Sequence, residues 1–205
     1  MARIAVIDYR MGNLASLKNS FAKIGAPVTV ETDAEKLLTY DKLILPGVGA
    51  FGDASEHLHE NGMDEVIREF VASGKHLLGV CLGMQMLFDS SEESPGAKGL
   101  GLVPGRVVRF DREKAAYPIK IPQMGWNRIH TKPHPLFRGL PDSFYLYFVH
   151  GYHAVVDNPI HQIGEADYGY TFTAAVSNGN VFGLQPHPEK SHDQGLQILK
   201  NFVEM

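Results

Sequence analysis

The chain has one cysteine, Cys81, in the segment Gly79-Val80-Cys81-Leu82-Gly83-Met84-Gln85, after the apolar run His76 to Val80 and before an apolar helical stretch. This is the thiol form of the G-x-S-x-G elbow, in which small residues flank a nucleophile on a tight strand-to-helix turn. Glycine on either side lets the chain turn without a Cβ clash. The start of the following helix aims unpaired N–H groups and the positive end of its dipole at the sulfur, where they stabilise negative charge. A lone cysteine is usually a small buried hydrophobe. The elbow context instead makes Cys81 a candidate nucleophile.

A thiol nucleophile needs a base and a group to orient that base. Of the ten histidines, His187 stands out, because Gln185-Pro186-His187-Pro188-Glu189 follows the apolar run Val181 to Leu184 and so lies at a strand end. Pro188 disfavours the α region at His187, and in an extended segment residues two apart point the same way, so Glu189 can reach the imidazole. Spacing alone leaves open a rigid Pro-rich turn with a solvated Glu. The other histidines are weaker candidates. His57-x-His59 is expected at the start of a helix, where residues two apart do not face each other. His130 and His134 flank a Pro-rich loop, and His150 and His153 flank a strand turn without a carboxylate pair. No H-E-x-x-H or C-x-x-C spacing occurs, so no metal or other cofactor is expected.

Pro46-Gly47-Val48-Gly49-Ala50-Phe51-Gly52 follows the apolar run Leu43 to Leu45. Its glycines uncover backbone N–H groups, which suits an oxyanion hole or an anion nest, although a plain loop has the same composition. It matches neither the P-loop nor the dinucleotide fingerprint.

These residues need a scaffold, and the first half of the chain supplies one. Ile4 to Ile7, Val28 to Val30, Leu43 to Leu45 and Leu77 to Val80 read as strands buried on both faces, as in parallel sheets. Leu14, Leu17, Phe21 and Ile24 recur at helical spacing, with Asn13 as N-cap and Gly25 as the stop; Met63, Val66, Ile67, Phe70 and Val71 do the same before Gly74. Such alternation predicts a doubly wound α/β sheet with catalytic loops at the carboxyl ends of its strands. Ser90 to Gly101 reads as an exposed loop between two halves of one domain. Beyond it the texture is mixed β: Arg106 to Phe110, Phe144 to Val149, His153 to Val156, Ala174 to Val176 and Val181 to Leu184. Asn178-Gly179 is a type I′ hairpin signal. A closing helix carries Leu196, Leu199 and Val203 on one stripe, with Ile198 and Phe202 beside it.

With 205 residues, one domain over 1–205 is the default. The net charge of −4, without a basic run, gives no footprint for nucleic acid or an anionic membrane. The apolar stretch after Met1-Ala2-Arg3 is too short for a signal peptide or membrane span, and the expected location is the cytoplasm.

The elbow at Cys81 and Pro186-His187-Pro188-Glu189 together resemble the class I glutamine amidotransferase family, which hydrolyses glutamine to glutamate and ammonia through a Cys-His-Glu triad. Ile7-Asp8-Tyr9-Arg10-Met11-Gly12-Asn13-Leu14-Ala15-Ser16, Met124-Gly125-Trp126-Asn127, Tyr147-Phe148-Val149-His150 and His187-Pro188-Glu189-Lys190-Ser191 are similar to its histidine-biosynthesis branch. The resemblance runs nearly end to end. It implies a flavodoxin-like α/β class I glutamine amidotransferase core with an added mixed β portion. It implies Cys81 as nucleophile, His187 as base and later acid, and Glu189 as orienter. The oxyanion would meet backbone N–H groups of Leu82 and of Gly49, once the Val48-Gly49 peptide is suitably turned. Gly49, Gln85, Gly151 and Tyr152 fall at positions that hold L-glutamine. Asn13, Trp126, Tyr147 and Lys190 fall at positions facing a partner (β/α)8 barrel synthase subunit, which would receive the ammonia and form imidazole glycerol phosphate and an aminoimidazole carboxamide ribonucleotide. Two positions depart from the family pattern: Gly151 replaces Ser or Thr, which removes a hydroxyl, and Pro186 replaces Phe, which alters the backbone entering the triad. Rival readings are the glutaminase of another amidotransferase, a Cys-dependent hydrolase of the same fold, and a flavodoxin-like protein whose thiol senses redox state.

Overall fold

Short apolar runs without polar alternation are stable only when covered on both sides. In the computed structural model, which describes residues 2–205, β1 (Ile4–Ile7), β3 (Lys42–Leu45) and β4 (His76–Val80) are such strands, paired in parallel. The charged Lys42 is buried because its ammonium donates to the carbonyls of Phe202 and Val203, at 2.7 and 2.9 Å. The second strand differs from expectation. β2 (Thr29–Glu31) is shifted by one residue and only half covered, because it forms the edge beside β1.

Helices cover both faces. α1 (Leu14–Lys23) starts at Asn13, whose side chain accepts from the Ser16 amide at 3.3 Å, and it closes before Gly25 at φ +74°. α2 (Ala34–Leu37) is a single turn. α3 (Phe51–Glu60) and α4 (Met63–Ala72) lie against the opposite face from α1, so two apolar clusters flank the sheet. His57 and His59 fall in the last turn of α3, not at its start, because the helix begins directly after the glycine-rich loop.

After β4 come the short α5 (Leu82–Gln85) and β5 (Ser90–Ser91). The 90–101 segment is not simply an exposed loop. Glu93 Oε2 and Ser94 Oγ accept from the Phe51 and Gly52 amides at 2.8 and 3.0 Å, which strap the free N–H groups of the α3 start. Gly99 and Leu100 are buried beneath it.

The added portion comprises β6 (Gly105–Arg109), β7 (Gln123–Thr131), β8 (Ser143–His150), β9 (Tyr152–Val156), β10 (Gln162–Asp167), β11 (Thr171–Asn178) and β12 (Val181–Leu184). The sheet has twelve strands, with main order β2-β1-β3-β4-β12-β11-β10-β7-β8. Its first five members are parallel neighbours in a flavodoxin-like order. From β12 onward the main path is antiparallel.

The β11–β12 turn differs from the expected type I′ turn at Asn178-Gly179. Asn178 pairs with Val181, so the loop is Gly179-Asn180, and only Gly179 has positive φ, at +59°. Type I′ requires positive φ at both central residues; glycine at the first alone is the type II′ signature. In α6 (His192–Glu204) the buried face centres on Ile198, Leu199 and Phe202 rather than on Leu196, Leu199 and Val203. Gly195 lies on this face because a Cβ there would strike the Pro188 carbonyl.

Candidate active site

The end of β4 and the start of α5 form the elbow. Cys81 sits at φ +55°, ψ −113°, a conformation that costs a non-glycine residue about 1–3 kcal/mol and persists only where its surroundings impose it. Here the Cys81 amide donates to Leu184 O of β12 at 2.8 Å. The turn is also pressed against β3: a Cβ on Gly83 would enter the Leu45 carbonyl, so only glycine lets the elbow close. The sulfur is nearly buried, 3.8 Å from Val149 O and 3.9 Å from Gln185 Nε2.

His187 follows β12, the strand beside β4, and its amide donates to Tyr147 O at 2.9 Å. Its Nδ1 lies 2.7 Å from Glu189 Oε1, and both side chains are 2 % exposed, so the pair is screened from water. Glu189 reaches the ring by a route different from the extended one expected: Pro188–Lys190 is a 3-10 turn that folds the carboxylate back. A carboxylate accepts, so Nδ1 carries the proton. Nε2 is buried without a hydrogen-bond partner. Burial by itself would lower the imidazole; the neighbouring Cys81 and the Glu189 hydrogen bond outweigh it, and His187 is pushed up to about 10.

Cys81 and His187 line one cavity of about 270 Å³ with Val48, Gly49, Leu82, Gln85, Glu93, Val149, His150, Gly151 and Tyr152. That volume suits a small molecule. A larger cavity, of about 750 Å³, opens along β6 beside Arg106 and Arg109, but no cysteine, serine or threonine lines it. Gly49 has φ +111° beneath the Met11 methyl, and Val48 is 41 % exposed. Leu82 is the first residue of α5, so its N–H has no partner within the helix. Tyr9 braces the loop, its hydroxyl donating to Pro46 O at 2.7 Å; burial and then the nearby Cys81 raise this phenol well above its ordinary range and keep it a donor.

Three cavity neighbours escape a reading by sequence pattern. Glu93 lies in a polar segment with no period that could place it. His150 is buried, with Nδ1 2.7 Å from Tyr152 O and Nε2 3.0 Å from Gln123 Oε1, and desolvation pushes it down to about 3. Gln185 is wholly buried behind the sulfur. The prolines beside His187 mark the segment, but no period or motif singles out Gln185.

The residues expected to face a partner fall outside the cavity. Trp126 is 46 % exposed and stacks on His192, with centroids 5.0 Å apart and rings 8° from parallel. Its edge meets Tyr147, above which Lys190 Nζ sits 5.9 Å from the ring centre. Exposed Met124 lies on the same strand as Trp126. Asn13 is spent as the α1 cap, and Ser20 of that helix donates to Glu189 O at 3.3 Å.

Comparison with known proteins gives a consistent answer. The family described as glutamine amidotransferase class-I matches residues 5–205. The chain is 60 % identical over 201 residues to the imidazole glycerol phosphate synthase subunit HisH of Sulfurimonas denitrificans, covering 98 % of this chain and 97 % of that one. It is 53 % identical over 203 residues to the HisH subunit of Wolinella succinogenes, covering 98 % and 99 %. Among solved structures, that of PurLQS from Thermotoga maritima superposes with a TM-score of 0.77 at 21 % identity, covering 100 % of this chain and 99 % of that one; the likeness is one of fold.

Proposed function

Since the chain belongs to the class I glutamine amidotransferase family, we propose that it is the glutaminase subunit of imidazole glycerol phosphate synthase, acting as one domain over residues 1–205. The observation that carries the reading is the buried His187–Glu189 pair at 2.7 Å, with His187 Nε2 unpaired in the cavity that holds the Cys81 sulfur. A thiol that merely senses oxidants leaves that pair without a purpose.

In this mechanism the Cys81 thiol first gives its proton to His187 Nε2, as the raised value of the imidazole favours, and the thiolate attacks the glutamine side-chain carbonyl, forming a C–S bond and a tetrahedral oxyanion. Backbone N–H groups of Leu82 and Gly49 receive the negative oxygen. The C–N bond breaks as His187 returns the proton to the leaving nitrogen, which departs as ammonia. Water then attacks the thioester, His187 takes the water proton, and glutamate leaves as the thiol is restored. Glu189 stabilises the imidazolium formed in both halves. Gln85, Gly151 and Tyr152 line the cavity that receives L-glutamine. The patch of Trp126, Tyr147 and Lys190, with Asn13 beyond it, docks a (β/α)8 synthase subunit in a heterodimer. Ammonia passing to that subunit yields imidazole glycerol phosphate and an aminoimidazole carboxamide ribonucleotide. No helix among the described residues is long and apolar enough to cross a membrane, which fits a cytoplasmic setting.

Glutamate release from L-glutamine by the chain with its synthase subunit tests the reading. Cys81→Ala is expected to abolish that activity while the synthase subunit continues with free ammonia. Hydrolysis near the wild-type rate in Cys81→Ala would overturn the nucleophile assignment.

A further inference from the structure

Gln185 is wholly buried in the core, a place where polar side chains are uncommon and the local requirement for one is strict. An unmade hydrogen bond there leaves a desolvated polar group without a partner, so the direction of its amide is dictated by its neighbours. Those neighbours form a chain of defined polarity. Tyr152 O can only accept, so Gln85 turns its Nε2 toward it, at 3.2 Å. The same nitrogen donates to Gln185 Oε1 at 3.0 Å. With its oxygen so committed, Gln185 presents Nε2 to the Cys81 sulfur, at 3.9 Å. Gln85 is left with Oε1 uncommitted on a residue that lines the cavity.

We propose that Gln185 is a further functional residue of this site, with one task at each end of its amide. The N–H end steadies the sulfur as it becomes negative, since a fixed dipole in a water-free setting needs no rearrangement when charge develops. The oxygen end positions Gln85, and through it the carbonyl offered to the bound molecule. The second task rests on the glutaminase reading; the first depends only on the sulfur.

Because Cys81 is the sole cysteine, its reaction with iodoacetamide reports on this sulfur alone. In the free chain at fixed pH, Gln185→Met is expected to slow alkylation about tenfold, whereas Gln85→Met, which removes the partner of Gln185 Oε1 but not the N–H that faces the sulfur, should slow it several-fold less. With the synthase subunit and L-glutamine, Gln185→Met should lower kcat and raise KM, while Gln85→Met should act mainly on KM. A packing role alone would not separate the two variants in this way. Should Gln185→Met fail to fold, Gln185→Asn carries the same test, its amide being one methylene too short to span both contacts. Alkylation and kcat at wild-type values in a folded Gln185 variant would overturn the proposal. If the wild-type pair releases no glutamate, the glutaminase reading falls, and the alkylation comparison still decides the sulfur contact.

Discussion

The amide of His187 donates to the carbonyl of Tyr147 at 2.9 Å, and Ser191 Oγ bridges the same two residues, accepting from the Tyr147 amide at 2.9 Å and donating to the His187 carbonyl at 2.6 Å. The proposed base thus hangs from β8 by the same residue whose ring lies in the exposed aromatic patch. Whatever binds that patch grips the strand that positions the imidazole.

The first prediction separates base from orienter. His187→Ala is expected to lower glutamine hydrolysis by about a thousandfold or more, and Glu189→Gln, which keeps shape but weakens support of the imidazolium, by about a hundredfold. Steady-state rates with the synthase subunit check the order. The stability effect has a definite sign. Because the folded His187 is raised above 6.5 to about 10, its contribution is complete below pH 6.5 and is lost as pH rises through about 10. Urea midpoints between pH 6 and 10 should therefore fall less steeply in His187→Ala than in wild type.

His150 gives the opposite pattern. Its folded value near 3 lies below the ordinary 6.5, so the unfolded chain binds the extra proton and stability drops as pH falls from 6.5 toward 3. The slope is about 1.4 kcal/mol per pH unit from this one ring. His150→Phe should be less stable at pH 7 by about 2 kcal/mol, since Tyr152 O loses its donor at 2.7 Å, yet show a shallower acid slope. Denaturant titrations at pH 4, 5, 6 and 7 decide it; parallel slopes would refute the assignment.

The exposed patch is expected to bind the synthase subunit. Trp126→Ala should weaken the heterodimer by about 2 kcal/mol or more, and Lys190→Ala by about 1 kcal/mol. Calorimetric titration measures both. Because Trp126 is half exposed in the free chain, its loss should leave the melting temperature nearly unchanged.

Gly47, Val48 and Gly49 supply the hinge for a gating prediction. A peptide between glycines reorients at little cost, so a bound subunit and its nucleotide substrate can bias it. Glutaminase rates should increase from the chain alone, to the chain with its synthase subunit, to the pair with a nucleotide substrate analogue. Gly49→Ala, strained at φ +111°, should blunt that response. Equal rates in all three states would refute gating and leave the triad untouched.

The parallel half of the fold was legible in the sequence because its strands are continuous apolar runs and its helices carry a clear period. The elbow was legible because chemistry and steric need coincide: Gly83 must be glycine for Cys81 to sit where it does. β7 and β10 were not, since Gln123 to Thr131 mixes exposed, half-exposed and buried positions and holds its place by pairing with distant partners. The turn lies one residue beyond its sequence signal because Asn178 is a strand residue whose side chain bonds Leu102 O rather than shaping the turn. Glu93 and Gln185 stayed hidden for a common reason. Their surroundings are assembled by contacts between remote segments, which local pattern does not encode.

The place of β12 between β4 and β11 governs the order in which the chain can become competent during synthesis. Until Val181–Leu184 arrives, β4 presents an open apolar edge, and the thiol at its end has neither the Leu184 carbonyl that holds its backbone nor the histidine that would take its proton. On the proposed mechanism a product broken off before that strand is expected to be inert toward glutamine and prone to pair with other chains. The late place of β12 and His187 in the chain would then keep an unfinished protein from releasing ammonia.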